Sequence, residues 1–215
     1  MGLWKVLMGE EPGFFEKAKF FINNGDDVGA YGEWLTEYLF GNDNLKGYSK
    51  SLHNIYVPYR GKTSEIDVLL VHEKGLFVIE SRNYSGWIFG SAEQQKWTQC
   101  LNKNTKTQFY NPVKQNRTHI NALSQFLQMD KTKMKSFIVF SERCELKKIP
   151  EDTEEYIVTK RDNLLRLVKK EIENRNNIFT KTEVDSIIEK LKPLTNISQE
   201  EKQKHIEQIK ETYGK

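Results

Sequence analysis

The sequence predicts a mixed α/β fold in which a central β-sheet is flanked by helices. Residues 65–86 contain two strongly apolar segments joined by a tight turn, which is typical of two antiparallel strands. Further along, apolar runs at 136–141 and 156–158 alternate with helical patterns, one of which covers 162–173. Strands that alternate with helices pair in parallel. We therefore expect a sheet that begins antiparallel and continues parallel.

Two helices and one strand are predicted before this hairpin. Apolar residues recur at helical spacing over about 12–22 and again over about 28–40. Residues 52–57 have the apolar composition of a strand, and a proline follows them. Glu33 lies off the apolar stripe of the second helix, beside two glycines. Glycine inside a helix costs about 1 kcal/mol, which favours a packing or functional reason, although Glu33 could equally be an exposed acid.

The region after the hairpin is predicted to contain a second hairpin and a longer helix. Residues 86–90 and 96–100 have the pattern of two short strands, and a polar, basic loop is expected at 102–107. Asn111 then caps a helix at 112–129 whose first residue is proline. Proline suits this position because it has no backbone N–H to leave unpaired.

The C-terminal part is predicted to be helical and highly charged. Thr180 and Glu183 have the spacing of a capping box, which predicts a short helix that ends before Pro193. A further helical tail follows, with only a narrow apolar edge. We expect this tail to be solvated or to contact a partner.

The composition fits one soluble, cytoplasmic domain with an extension. A chain of 215 residues can bury one good core. Two cysteines exclude a disulfide framework, and the four histidines lack zinc spacing. No segment approaches the about 18 apolar residues of a membrane span, so we expect no membrane partner. The net charge of +3 favours no particular partner.

Two acids, Asp67 and Glu80, stand in the hairpin where a strand usually carries valine or isoleucine. In an antiparallel hairpin, the residue numbers of the two residues in each facing pair add up to the same sum. A turn centred on Glu73 and Lys74 gives a sum of 147, which places Asp67 opposite Glu80 with Cβ atoms about 4.5–5.5 Å apart. Arg82, two residues beyond Glu80, is expected on the same face.

The register decides whether the two acids meet. A three-residue loop with Gly75 as a bulge would change the sum to 148 and send the acids to opposite faces. If they meet, two interpretations are open. The acids could bind Mg²⁺ or Mn²⁺, which prefer oxygen ligands. Alternatively, one of them could form a buried ion pair with Arg82.

A window without any acidic residue follows, from Gln94 to Met129. Its basic residues are Lys96, Lys103, Lys106, Lys114 and Arg117, and it also contains Trp97, Phe109 and Tyr110. Cations neutralise phosphates and aromatic rings stack on bases, so the mixture is typical of a nucleic-acid surface. A solvated face can have the same composition. A metal site beside a basic surface, however, is the arrangement that phosphodiester cleavage requires.

Four sequence blocks occur in order between about Val28 and Ile138. They are Gly-Ala-Tyr-Gly-Glu at 29–33, Glu-Ile-Asp at 65–67, the segment 75–86, and Asn-Pro-Val-Lys-Gln at 111–115 followed by His119. The ordered set resembles the NERD family, the nuclease-related domains of the PD-(D/E)xK nuclease superfamily. The resemblance implies a restriction-endonuclease-like core with a mixed central sheet flanked by helices, and Mg²⁺-dependent hydrolysis of nucleic acid.

The resemblance also implies roles for individual residues. By matching position, Asp67 and Glu80 would be metal ligands, Glu33 an acid from the first helix of the motif, and Gln115 a polar site residue. The family pattern has a lysine two residues after the second acid, where this chain has Arg82. Lysine can lose its proton and activate water, whereas arginine stays protonated but can stabilise negative charge on a phosphate.

These observations predict a metal-dependent nuclease that hydrolyses DNA with Mg²⁺ or Mn²⁺. The first alternative is a catalytically weak or inactive module that binds nucleic acid, because Arg82 replaces the motif lysine. The second is a protein-interaction domain whose partner docks on the C-terminal helices. The expected segments are an N-terminal helical part at 1–27, the nuclease-related core at 28–145, an α/β completion of the core at 146–194, and a charged helical tail at 195–215.

Overall fold

The computed structural model describes residues 45–195 and Glu207. The predicted helices at 12–22 and 28–40, Glu33 and almost all of the charged tail lie outside these residues. The strands are β1 (Ser49–Tyr59), β2 (Lys62–His72), β3 (Gly75–Arg82), β4 (Gly86–Phe89), β5 (Lys96–Cys100), β6 (Lys106–Tyr110), β7 (Met134–Phe140), β8 (Cys144–Lys148) and β9 (Tyr156–Lys160). The helices of the described chain are α1 (Pro112–Leu127), α2 (Arg161–Glu173) and α3 (Lys181–Leu191).

The main sheet has the strand order β1-β2-β3-β7-β9. Strands β1, β2 and β3 pair antiparallel, whereas β7 pairs parallel with both β3 and β9. The prediction of a mixed sheet that begins antiparallel and continues parallel is therefore confirmed. Parallel pairing requires crossover connections, and α1 supplies the one between the hairpins and β7.

Helices cover both faces of this sheet. Side chains of α1 and α3, such as Leu123 and Ile188, share a core with Leu69 and Val78 of the central strands. On the opposite face, Leu164 and other residues of α2 pack against the alternate side chains of the same strands. The sheet is thus the middle layer of three, which is why β3, β7 and the second half of β2 are buried almost throughout.

The helix boundaries follow the predicted caps. The side chain of Asn111 accepts the backbone N–H of Val113 at the start of α1. Thr180 and Glu183 form both hydrogen bonds of a capping box at the start of α3. None of the described helices is long and apolar enough to cross a membrane.

A second sheet was not expected from the sequence. The predicted hairpin of β4 and β5 lies in a separate sheet with the order β6-β5-β4-β8. The expected loop at 102–107 is wrong at its end, because β6 begins at Lys106, and β8 was not predicted at all. Both strands are short and mostly polar and exposed, so they carry little hydrophobic alternation to reveal them.

The second sheet packs against the face of the main sheet that also carries α1. Ile88 and Trp97 on its inner side share a core with Ile138 and Phe140 of β7 and with Val113 of α1. The rings of Trp97 and Phe140 are nearly parallel, with centroids 6.0 Å apart. The end of β3 therefore lies beside both α1 and the second sheet.

Candidate functional site

The hairpin of β2 and β3 has the register that brings the two acids together. His72 pairs with Gly75 and Val68 pairs with Ile79, so the numbers of facing residues sum to 147 as predicted. The turn is the two-residue one, and Gly75 follows it with a φ of 142°, a conformation that other residues rarely adopt. The ladder ends at Val68 and Ile79, one position before Asp67 and Glu80.

The pairing of β1 with β2 is interrupted beside the acid pair. Residues on both sides of Asn54 pair with β2, but Asn54 and Asp67 themselves do not. Asn54 has a φ of 50°, in the left-handed region. The alternation of side chains breaks at the same point, because Ile66 and Leu69 lie three positions apart and yet belong to the same core. Asp67 therefore occupies a local break in the sheet.

Asp67 turns its carboxylate towards β3. Its Oδ2 atom accepts the backbone N–H of Ser81 at 2.8 Å, where the regular ladder has ended. Burial and the negative charge of Glu80 hold the pKa of Asp67 well above its ordinary value, although the bond from Ser81 and the charge of Arg82 oppose the shift. The two acids therefore interact, and the surroundings of Asp67 disfavour its charged form.

Glu80 is almost completely buried, with 1% of its surface exposed. Its Oε1 atom contacts Arg82 Nη2 at 2.8 Å and Gln115 Nε2 at 3.0 Å. Its Oε2 atom lies 3.0 Å from His119 Nε2. Burial alone would raise the pKa of Glu80, but the charge of Arg82 and the bond with His119 outweigh it and hold the pKa below its ordinary value. Glu80 is therefore the ionised member of the pair.

A second hydrogen bond extends this network away from Glu80. Ser64 Oγ lies 2.6 Å from His119 Nδ1, and both side chains are buried. An ionised carboxylate can only accept, so His119 Nε2 must donate to Glu80. In a neutral imidazole Nδ1 is then an acceptor, and Ser64 donates its hydroxyl proton to it.

Arg82 joins two side chains of the site through a single nitrogen. Its Nη2 atom bonds both Glu80 and the Oε1 atom of Gln115. Its Nε atom is buried and has no hydrogen-bond partner within the described residues. The ion pair that the sequence left open as an alternative is thus present, and it exists together with the meeting of the two acids.

The residues present suit a hard divalent cation. Asp67 uses only Oδ2 in its bond with Ser81, and Glu80 Oε2 keeps a lone pair beside His119. Mg²⁺ is often bound by one or two carboxylates, with water and phosphate oxygens completing its shell. Within residues 45–195 and Glu207, no group of three or more histidine, cysteine, aspartate or glutamate side chains is arranged to hold a metal ion. Two carboxylates are therefore what this part of the chain offers.

The basic residues predicted to bind nucleic acid lie on β5, β6, the turn between these strands, and α1. Lys96 and Lys106 lie in β5 and β6, and Lys103 lies in the exposed turn between these strands. Lys114 donates to the backbone oxygen of Glu93 at 2.6 Å. Arg117 is bound by both carboxylate oxygens of Glu155, at 2.6 and 2.9 Å, so its charge is already balanced.

One aromatic residue of the basic window cannot stack on a base. Trp97 is fully buried, because it lies on the inner side of the second sheet against Phe140. Phe109 faces the same side, and its ring lies 4.4 Å from the ring of Tyr84. The exposed tryptophan of this sheet is Trp87, which precedes the window.

Sequence reasoning missed three polar residues around the site. His119 was noted only as part of a motif, and Ser64 and Asn116 received no role. Asn116 is fully buried and donates to the backbone oxygen of Val78 at 2.9 Å and to Ser136 at 2.7 Å, which fixes α1 on β3 and β7. The spacing of Gln115 and His119 on one helical face was the available signal, because residues four apart lie one above the other.

The fold is a mixed α/β domain in which an acid pair, an arginine and a glutamine meet at the end of β3. The sequence model of the nuclease-related domain family, NERD, matches residues 28–141. An uncharacterized protein of Bacillus anthracis is 30% identical over 190 residues, which covers 87% of this chain and 86% of the relative. The chain belongs to the nuclease-related domain family.

Among solved structures, the chain is similar to the small subunit of the heterodimeric restriction endonuclease R.BspD6I. The alignment covers 93% of this chain and 100% of that subunit, with 14% identity and a TM-score of 0.32. This score is too low to support a shared fold or function, so the assignment rests on the family match and the bacterial relative.

Proposed function

We propose that this protein is a metal-dependent nuclease-like enzyme that hydrolyses phosphodiester bonds of DNA. The observation that carries the proposal is the meeting of Asp67 and Glu80 beside Arg82 and Gln115, at the end of β3. An acid pair of which Glu80 is almost completely buried costs free energy unless it is compensated. Membership of the nuclease-related family supports phosphodiester hydrolysis as its purpose.

Asp67 and Glu80 are the residues that would hold Mg²⁺ or Mn²⁺. A divalent cation bound there polarises a phosphoryl oxygen and makes water a better nucleophile. The raised pKa of Asp67 supports this assignment, because burial and the charge of Glu80 disfavour a bare carboxylate there, whereas a bound cation would stabilise it. Glu33, outside the described residues, is the proposed further acid that completes or orients the set.

Arg82 and Gln115 would act on the phosphate. The guanidinium of Arg82 is permanently charged, and 21% of its side chain is exposed. It can therefore stabilise negative charge that develops on the phosphate, although it cannot serve as a base. Gln115 binds both Glu80 and Arg82 and holds them in register. Lys96, Lys103 and Lys106 would attract the nucleic-acid backbone.

A second candidate function is nucleic-acid binding without efficient cleavage. The observation that favours it is the ion pair of Arg82 with Glu80, in which the arginine takes one oxygen of a proposed metal ligand at 2.8 Å. A lysine in its place could release a proton, which arginine does not. We include a cytoplasmic location in the proposal because Cys100 and Cys144 are both free thiols.

Plasmid cleavage by the full chain tests this proposal. The protein is incubated with supercoiled DNA in Mg²⁺, in Mn²⁺ and in EDTA, and nicked and linear products are quantified. We expect cleavage only with a divalent cation. Asp67→Asn keeps the shape of the side chain but removes its charge, so the rate should fall about 100-fold or more. Asp185→Asn is the matched control, since Asp185 is an exposed acid in α3 that pairs with Lys50.

Arg82→Lys separates the two candidate functions. Slower cleavage in this variant supports a role of the arginine in the reaction. Cleavage gained by Arg82→Lys from an inactive wild type supports the binding module instead. Cation-dependent cleavage that is undiminished in Asp67→Asn would rule out the proposed site.

A further inference from the structure

The outer side of the second sheet carries exposed aromatic residues together with lysines. The inner side chains, such as Ile88 and Trp97, point towards the main sheet. Successive side chains of a strand alternate between faces, so Trp87 and Phe89 of β4 point outwards. The register then places Cys100 beside Trp87 and Thr98 beside Phe89.

Aromatic residues form one part of this outer surface. Trp87 exposes 44% of its surface, which is uncommon for the largest apolar side chain. Phe89 lies two positions along the same strand, about 6.8 Å away at the usual rise of a strand. Tyr110 of β6 lies on the same outer side, since it pairs with Lys96 next to the outward Thr98.

Lysines surround these rings. Lys148 is paired with Phe89, whereas Lys106 is paired with Cys100 and so lies one strand further from Trp87. Lys147 lies over the ring of Trp87 with its Nζ atom 5.6 Å from the ring centroid. Glu145 is the acid on this side of β8, and it is bound by Lys147. Lys147 and Glu145 balance each other, so Lys106 and Lys148 supply the net positive charge of this surface.

We propose that this outer surface, formed by Trp87 and Phe89 with Lys106 and Lys148, binds unpaired nucleotides of a nucleic-acid strand. Bases of a single strand can stack on exposed aromatic rings while lysines neutralise the phosphates. Bases inside a duplex are already stacked and cannot reach such rings. The surface thus selects single-stranded or locally opened substrate.

The position of the surface in the chain connects it to the acid pair. Strand β4 begins four residues after Arg82, and β6 ends two residues before the helix that carries Gln115. The inference names the substrate class of the proposed nuclease, and it rests on the proposed function only in that the chain acts on nucleic acid. Binding to the surface needs neither Asp67 nor a metal ion.

Fluorescence anisotropy in EDTA tests the surface separately from cleavage. The probes are labelled 15-nucleotide oligo-dT, 15-nucleotide oligo-U and a mixed-sequence DNA duplex of the same length. Trp87→Ala should weaken binding of the single strands by about 5- to 100-fold and leave the duplex almost unchanged. Trp87→Phe should retain most of the wild-type affinity, because an aromatic ring remains for stacking. Lys106→Gln should reduce the slope of log binding constant against log salt concentration by about one, which corresponds to the loss of one phosphate contact.

Ile178→Ala is the matched control, because Ile178 is exposed to 39% but lies beside the turn between β2 and β3. Preference for oligo-dT or oligo-U identifies which nucleic acid the surface takes, and either supports the inference. The inference is overturned if the wild-type chain binds neither oligo-dT nor oligo-U at low salt. It is also overturned if Trp87→Ala weakens the binding of single strands and of duplex equally. Cleavage of plasmid decides the proposed function independently of these results.

Discussion

Glu80 is a buried carboxylate that stays charged because three side chains hold it. Arg82 comes from its own strand, whereas Gln115 and His119 come from successive turns of α1. A single deletion among them leaves a buried acceptor without one partner, which is costlier than removing an exposed hydrogen bond. His119 is in turn bound by Ser64 of β2, so the network connects three elements.

The chain from Ser64 through His119 to Glu80 should behave as one unit in stability. His119→Leu removes the donor to Glu80 and should destabilise the fold by about 1–3 kcal/mol. Ser64→Ala removes one hydrogen bond and should cost about 1 kcal/mol. Because Ser64 acts on Glu80 only through His119, the double variant should lose less than the sum, by at least about 0.5 kcal/mol.

Urea unfolding at pH 7 of the four proteins of this cycle measures the coupling. Thr195→Ala, an exposed side chain whose hydroxyl bonds the Lys192 oxygen, controls for the loss of a hydroxyl without a histidine partner. Losses that add within about 0.3 kcal/mol would show that Ser64 and His119 act separately.

The break in β1 and β2 is the element-scale feature that positions Asp67. In a regular sheet, Asn54 and Asp67 would pair with each other, and a backbone carbonyl oxygen would accept the N–H of Ser81. Because the pairing is broken here, the carboxylate of Asp67 accepts this N–H instead. Asn54 supports the break with its left-handed backbone, which asparagine tolerates better than most residues. The break therefore depends on one backbone conformation.

Substitutions at Asn54 should follow backbone preference and not side-chain size. Asn54→Gly should be nearly neutral, because glycine adopts a positive φ readily. Asn54→Ala should destabilise the protein by about 1 kcal/mol, because alanine keeps the Cβ but lacks the short polar side chain that lets asparagine tolerate the left-handed region. Chemical unfolding of both variants checks this. A larger loss for glycine than for alanine would mean that the asparagine side chain, and not its φ, holds the break.

Features of this region that depend on a single local rule were predicted correctly from the sequence. The sum of 147 followed from a two-residue turn, and the start of α1 followed from Asn111 and a proline. The break at Asn54 could not be predicted, since residues 52–57 have the composition of a strand and the irregularity depends on the neighbouring strand. Arg82 was placed on the correct face, but its bond to Gln115 depends on tertiary packing of α1.

At the scale of the whole molecule, α1 and β7 join the two sheets. Asn111, at the start of α1, donates to three backbone oxygens in the connection between β4 and β5. Asn116, one turn later, bonds the main sheet. Phe140 at the end of β7 contacts Trp97 of the second sheet. The sheets share one core at this junction, so we expect them to unfold together.

Phe140→Leu tests this cooperativity. The substitution keeps an apolar side chain of similar reach but removes the ring contact with Trp97, so it should lower the free energy of unfolding by about 1–2 kcal/mol. Hydrogen exchange measured by mass spectrometry in increasing denaturant should show the same loss for amides of β3 and of β5, because both exchange through global unfolding. Phe126→Leu is the matched control on the exposed side of α1, with 38% of the residue exposed, and should change stability by less than about 0.5 kcal/mol. A loss confined to β5 would mean that the second sheet opens independently, and its surface could then change shape without disturbing the acid pair.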